Sequence, residues 1–325
     1  MKITYLLTWV TILGDGMLTR TTMRGIYILV PTPFKKSGEF DEETFRENIK
    51  KLCEYDIQGI ATTGTLGEFH SLPWKDHQRL IKILVDEVKA GVTTIVGCSG
   101  LNTDEVIMKT KFAEDCGVDA AMNTVPFYTR ITRDECIKYW NDLAEACPNI
   151  GLIVYNNPET TKFLVDAGIF KEIAKIPNVC GSKEIVGYTP LATFTHWMSI
   201  VNATNLAHFC CDVITVPAMM YDAKGVTSEN FALKPKLFLE VYKACEQKKW
   251  EKAKKLHYAQ MEFINFINES FGIRQYNWFC VLKAALDAVG VIKGGYPHSP
   301  YIPVPEKLQK KAKQLVLKKY GDKWT

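Results

Sequence analysis

Short, almost wholly apolar runs alternate along this chain with longer stretches whose apolar positions recur at helical spacing. The first run, Gly25-Ile26-Tyr27-Ile28-Leu29-Val30, is closed by Pro31-Thr32-Pro33 and reads as a strand buried on both faces. Comparable runs lie at 59–63, 93–98, 119–124, 150–155, 179–183, 207–211 and 225–227. Between them the period lengthens. Asp41 caps a helix over 42–55, with Phe45, Ile49 and Leu52 on one face. Thr103-Asp104-Glu105 opens a helix that runs to Ala113. Further helices are predicted at 75–89, 133–146, 165–176, 188–198 and 216–221, and from Pro235 the chain is mostly helical to about Lys319.

Strands alternating with helices imply parallel βαβ units. Eight such units in succession predict a closed (β/α)8 TIM barrel of α/β class, with an open doubly wound sheet as the runner-up. The open sheet is weakened because Pro-Thr-Pro-Phe, not a glycine-rich dinucleotide turn, comes after the first strand. The predicted organisation is an N-terminal extension over 1–23, a barrel over 24–235 and a C-terminal helical region over 236–325.

The composition, 47% hydrophobic and 23% charged over 325 residues, is that of an ordinary globular protein. A net charge of +4, with basic residues dispersed, gives no reason to expect nucleic acid or an acidic membrane as partner. The ten cysteines lack metal-ligand spacing and most sit in apolar segments, so they read as reduced core residues of a cytoplasmic protein. The six histidines form no metal-binding pattern, and no metal is expected. The apolar run Tyr5–Leu13 is too short to span a bilayer and lacks a small-x-small cleavage site, and Met17 and Met23 are alternative starts.

Chemistry in such a barrel collects at the C-terminal ends of the strands. Lys183 ends the sixth strand. Taken alone it reads as a surface lysine; if the strand is buried, desolvation favours the neutral amine that attacks a carbonyl carbon to form a Schiff base. Tyr155 ends the neighbouring fifth strand, and a phenol beside an amine can carry the protons that imine formation requires. Gly64-Thr65-Leu66-Gly67-Glu68 comes after the second strand. It is either an ordinary glycine turn or a loop whose amides and Thr65 hydroxyl converge on a carboxylate. Tyr128, after the fourth strand, reads as core, interface or proton relay. His70 reads as a supporting or surface residue.

The motifs PTPF, GTLGE, GCSGLNTDE, VPFY, YNNP and GSKE, in that order over roughly 24–235, resemble the class I pyruvate aldolases of the dihydrodipicolinate synthase and N-acetylneuraminate lyase superfamily. The resemblance implies a (β/α)8 barrel, usually a homotetramer. It implies Lys183 as the Schiff-base lysine, Tyr155 as proton shuttle, and Thr65 with the Leu66 backbone as binder of the pyruvate carboxylate. In the synthase branch the residue at Tyr128 reaches a neighbouring subunit. Synthases have threonine at Leu66 and arginine at Thr160. The trans-o-hydroxybenzylidenepyruvate hydratase-aldolase branch is more similar, through GTLGEFHSLPW, GCSGLNTDEVI, YNNPETTKF, QYN and PYIPVPE. That extends the resemblance to about residue 306 and implies Asn277 as an active-site residue. Gly225 and Thr227 are the substrate-binding positions implied on the last strand, Thr227 standing where that branch has a tryptophan.

The function expected is therefore reversible carbon–carbon bond cleavage or formation between pyruvate and an aldehyde, aromatic for preference, through a covalent imine on Lys183 and with no metal or organic cofactor. The alternatives are a sugar-acid dehydratase or condensing synthase of the same superfamily, and a noncatalytic pyruvate-binding barrel.

Overall fold

The computed structural model describes residues 16–185 and 190–321. Eight strands, β1 (Gly25–Leu29), β2 (Gly59–Thr62), β3 (Thr93–Gly97), β4 (Ala120–Asn123), β5 (Gly151–Asn156), β6 (Val179–Glu184), β7 (Ala207–Cys211) and β8 (Gly225–Ser228), pair in parallel. The ring closes where Gly25 meets Gly225 and Ile28 meets Ser228. The predicted TIM barrel is the fold, and its strands are buried along nearly their whole length, as continuous apolar runs require.

The helices around it are α1 (Glu42–Leu52), α2 (Trp74–Glu87), α3 (Thr103–Asp115), α4 (Arg133–Ala146), a single turn α5 (Pro158–Thr161), α6 (Ala167–Ile173), α7 (Pro190–Ile200) and α8 (Thr215–Met220). Local chemistry sets their starts. The Asp41 carboxylate accepts from Thr44 N, and Thr132 and Glu135 form a reciprocal capping box. The helix predicted at 165–176 is shorter than expected for a visible reason. The Asn156 amide pairs with both backbone groups of Val165, holding that residue extended, so the helix waits for the Asp166 cap. Tyr188, predicted to open the next helix, lies outside the described residues.

Part of the predicted N-terminal extension is built into the barrel floor. Leu18 and Met23 are buried, Leu18 N donates to Asp119 O, and the Arg20 guanidinium donates to the carbonyls of Ile176 and Val179. Residues 1–15, including the Tyr5–Leu13 run, are outside the described part. The C-terminal region is four helices, α9 (Pro235–Glu246), α10 (Trp250–Phe271), α11 (Trp278–Val289) and α12 (Glu306–Tyr320). Of these α11 matters most for function, because it is apolar nearly all round, is buried, and brings its first turn to the barrel mouth. All ten cysteines are free and nine are buried. No helix among the described residues is long and apolar enough to cross a membrane.

Candidate active site

A cavity of about 260 Å³ opens at the C-terminal mouth of the barrel, and Thr65, Leu66, Tyr155 and Lys183 line it together. What aligns the last two is a bulge. Leu152 of β5 pairs with Val179, but Ile153 pairs with Gly181, so β6 spends one extra residue, Cys180. Beyond it Tyr155 stands directly opposite Lys183. Without the bulge Ser182 would take that place and Lys183 would face the helices, since a one-residue slip turns every side chain to the other face. Lys183 is 4% exposed, and its Nζ sits 4.1 Å from the centroid of the Tyr155 ring. The Tyr155 hydroxyl lies 3.4 Å from Thr65 Oγ1 and accepts from Asn157 Nδ2 at 3.1 Å.

The glycine loop is held from three sides. Thr63 and Glu68 adopt positive φ, and a Cβ on Gly67 would fall 2.6 Å from Thr63 N, so the tight turn admits only glycine there. Thr32, from the proline-rich end of β1, donates to Gly67 O at 2.8 Å. Below the loop the Glu68 carboxylate is completely buried and fully used. Its Oε1 accepts from Lys283 Nζ at 2.5 Å and its Oε2 from His298 N at 2.7 Å. Lys283, from α11, is equally buried and also donates to the carbonyls of Thr32 and Tyr296. One ion pair thus ties the loop to the C-terminal helices. His70 stacks edge-on against Phe279 and Tyr301 of that same region.

Among the residues not singled out from the sequence that also line the cavity are Glu229, Trp278, Asn157 and Glu159. Glu229 is the first residue beyond β8, and its Oε2 is buried with no protein partner. Burial pushes its carboxyl above the usual range, against the pull of Lys183. Asp212, just beyond β7, is pushed well up by burial and by Glu229. The rule that active residues lie just past strand ends was the signal for Glu229. For Lys283 it was a lone lysine inside the apolar run Trp278–Leu286.

Two positions expected at the site on β8 lie outside the cavity lining. Gly225 begins β8 at the floor of the barrel, where an added Cβ would meet Gly25 O at 2.2 Å. Thr227 is buried and spends its hydroxyl on Cys210 O. Neither lines the cavity; the contribution of β8 comes from Glu229, past its end. Asn277 is the exposed residue preceding α11, and its neighbour Trp278 faces the cavity instead. Tyr128 is 78% exposed, outside the cavity of its own chain.

A profile of the dihydrodipicolinate synthetase family matches residues 22–319. The 4-hydroxy-tetrahydrodipicolinate synthase of Sulfurihydrogenibium sp. is 33% identical over 238 residues, covering 72% of this chain and 78% of the relative. A crystal structure of dihydrodipicolinate synthase superposes with a TM-score of 0.80 at 28% identity, covering 92% of this chain and 99% of the other. The sialic acid aldolase of Ruminococcus gnavus, studied as a catalytic-lysine mutant, shares the fold at a TM-score of 0.81 and 21% identity, with 92% and 97% covered. The chain is a member of the dihydrodipicolinate synthetase family, an enzyme of the class I pyruvate-dependent aldolase and synthase superfamily.

Proposed function

We propose that this enzyme is a class I aldolase joining or cleaving pyruvate and an uncharged aldehyde, with the hydratase-aldolase reaction as its specific form. The observation that carries the reading is the charge of the cavity wall. Among the described residues lining it, Lys183 is the only cation, while Glu159 and Glu229 are acidic and Leu66, Thr160 and Trp278 are neutral. Once Lys183 is consumed as an imine, a pyruvate carboxylate is accommodated by the Thr65 hydroxyl and the glycine-loop amides. A second substrate bearing its own carboxylate would find no cation besides the imine nitrogen, which already faces the pyruvate carboxylate, and two acidic side chains nearby, which costs affinity. An aldehyde with an apolar or aromatic body meets no such penalty and gains the face of Trp278.

In this reading the neutral Lys183 amine attacks the keto carbon of a 2-oxo acid. The cationic imine then draws electrons from the adjacent carbon–carbon bond, so that an aldehyde departs and a nucleophilic enamine remains. Tyr155, touching both Thr65 and Asn157, moves the protons. Water addition to a conjugated 2-oxo acid would precede cleavage. No metal or organic cofactor takes part. The assembly expected is a homotetramer in which Tyr128 approaches a neighbouring copy.

The condensing synthase is the second reading, favoured by the synthase names of relatives at 28–33% identity. Incubation of the enzyme and pyruvate with a panel of aldehydes separates the two. Preference for aromatic aldehydes supports the aldolase. Turnover confined to an amino-acid aldehyde carrying a carboxylate would overturn it.

Two variants sharpen the roles. Tyr155→Phe is expected to keep the borohydride-trappable pyruvate adduct while turnover falls by about 10²–10⁴-fold, measured by single-turnover trapping beside steady-state rates. Trp278→Ala is expected to raise KM for an aromatic aldehyde about tenfold, with pyruvate trapping unchanged; the loss of about 1.4 kcal/mol is the scale of one aromatic contact.

A further inference from the structure

Glu229 and Lys183 face one cavity from β8 and β6, and among the described lining residues no second cation answers the acidic side chain. The other ionisable groups near Glu229 are accounted for. Asp212 is buried, its Oδ2 accepting from Asn230 N and Nδ2. The Cys211 thiol is pushed up to about 12 by burial and stays neutral. Tyr155 and Glu159 line the cavity from β5 and α5, and the Tyr155 hydroxyl is engaged with Thr65 and Asn157. Glu229 Oε2 has no partner among the protein groups although it is buried. A buried carboxyl oxygen left open at a reacting centre is costly unless something there uses it.

We infer that Glu229 balances the charge of the Schiff-base nitrogen, being a carboxylate while that nitrogen is cationic and a carboxylic acid while it is a neutral amine. The inference rests on Lys183 being the imine-forming lysine. Lys183 and Glu229 face the same cavity, so a proton given up by one can reach the other through a bridging water. With the proton on Glu229, the Lys183 lone pair forms the C–N bond and the carbonyl π electrons move to oxygen. That oxygen takes one proton from Glu229 and one from the nitrogen and departs as water. The nitrogen keeps one hydrogen, gains the double bond and becomes cationic, and Glu229 is now the carboxylate that faces it. The cavity's net charge is the same at both ends of the step, so the buried Lys183 and Glu229 side chains need not hold an uncompensated charge. Burial raises both carboxyls, and the presence of Glu229 raises that of Asp212 further.

The test is the single-turnover rate of borohydride-trappable imine from pyruvate, followed between about pH 5 and 9 in the wild type, Glu229→Gln and Glu229→Asp. The wild-type rate should be level with pH across the window in which the pair shares its proton. In Glu229→Gln the amine must lose its proton to solvent, so the rate should climb about tenfold per pH unit below the lysine's own titration. Glu229→Asp should restore the level region. If the glutamine profile superimposes on the wild type, or the aspartate profile matches the glutamine one, Glu229 has no such role. Should the glutamine variant fail to fold, Glu229→Met repeats the measurement. A wild type that traps no pyruvate at any pH removes the imine reading as well, an outcome distinct from matching profiles.

Discussion

Lys183→Ala is expected to lose the reducible pyruvate adduct entirely and to lower turnover on the order of 10⁴-fold or more, the scale on which enzymes fall when a covalent nucleophile is removed. The reason is electronic. Cleavage of the bond next to a keto carbon needs an electron sink, and a carbonyl alone is a far weaker one than a cationic imine. Neither Tyr155 nor Thr65 supplies a substitute. The fold should survive, because Lys183 contributes one contact with the face of the Tyr155 ring and its removal only enlarges the existing cavity. Mass spectrometry of the borohydride-treated protein, located by peptide mapping, checks the outcome. Among the described residues two rival lysines are buried: Lys109, which lies outside the cavity with its Nζ donating to Ser99 O and Glu105 Oε1, and Lys283, against which geometry speaks. Its Nζ donates to Thr32 O, Glu68 Oε1 and Tyr296 O, which uses all three ammonium hydrogens and leaves no lone pair for attack. An adduct mapped to Lys283, or one persisting in Lys183→Ala, would end the assignment.

Much of this was readable from the sequence, and the limit has a physical form. The strands announced themselves because a parallel barrel buries both faces, turning each strand into an unbroken apolar run bounded by turn residues. The pairing of Tyr155 with Lys183 could be expected from their positions at the ends of neighbouring strands. The means of pairing them, the extra residue Cys180, could not, since a bulge inside an apolar run leaves the composition unchanged. That Gly225 and Thr227 fall outside the cavity lining could not be read, because strand order along the chain says nothing of height within the barrel. β8 ends at Ser228, and Glu229, one residue past that end, is the first to reach the cavity. Trp278 and Lys283 arrive from more than ninety residues beyond Lys183, a proximity that only the packing of α11 over the barrel mouth creates. The region that reads as a helical appendage is therefore part of the site.

Removing either partner of the ion pair that joins that appendage to the glycine loop should cost more than any surface change. Lys283→Met is expected to destabilise the protein by about 3–5 kcal/mol, because Glu68 would remain buried as an uncompensated carboxylate. For a chain of this size that is a fall in Tm of roughly 5–10 °C, measurable by calorimetry. Glu68→Leu alone should do similar harm by stranding the ammonium. The double variant Lys283→Met/Glu68→Leu should recover much of the loss, since replacing both members of a buried pair by apolar groups is often nearly neutral. Stability and function are then expected to part company. Glu68 sits at positive φ directly after Gly67, and its carboxylate fixes the loop that presents Thr65 to the cavity. The double variant should fold yet bind pyruvate more weakly, raising KM several-fold with a smaller effect on kcat, because the carboxylate cradle loses its anchor while Lys183 and Tyr155, on β6 and β5, keep theirs. If the double variant were as unstable as the singles, the pair would be a packing element whose removal the core cannot absorb. If it were stable with an unchanged KM, Lys283 would have no hold on the loop.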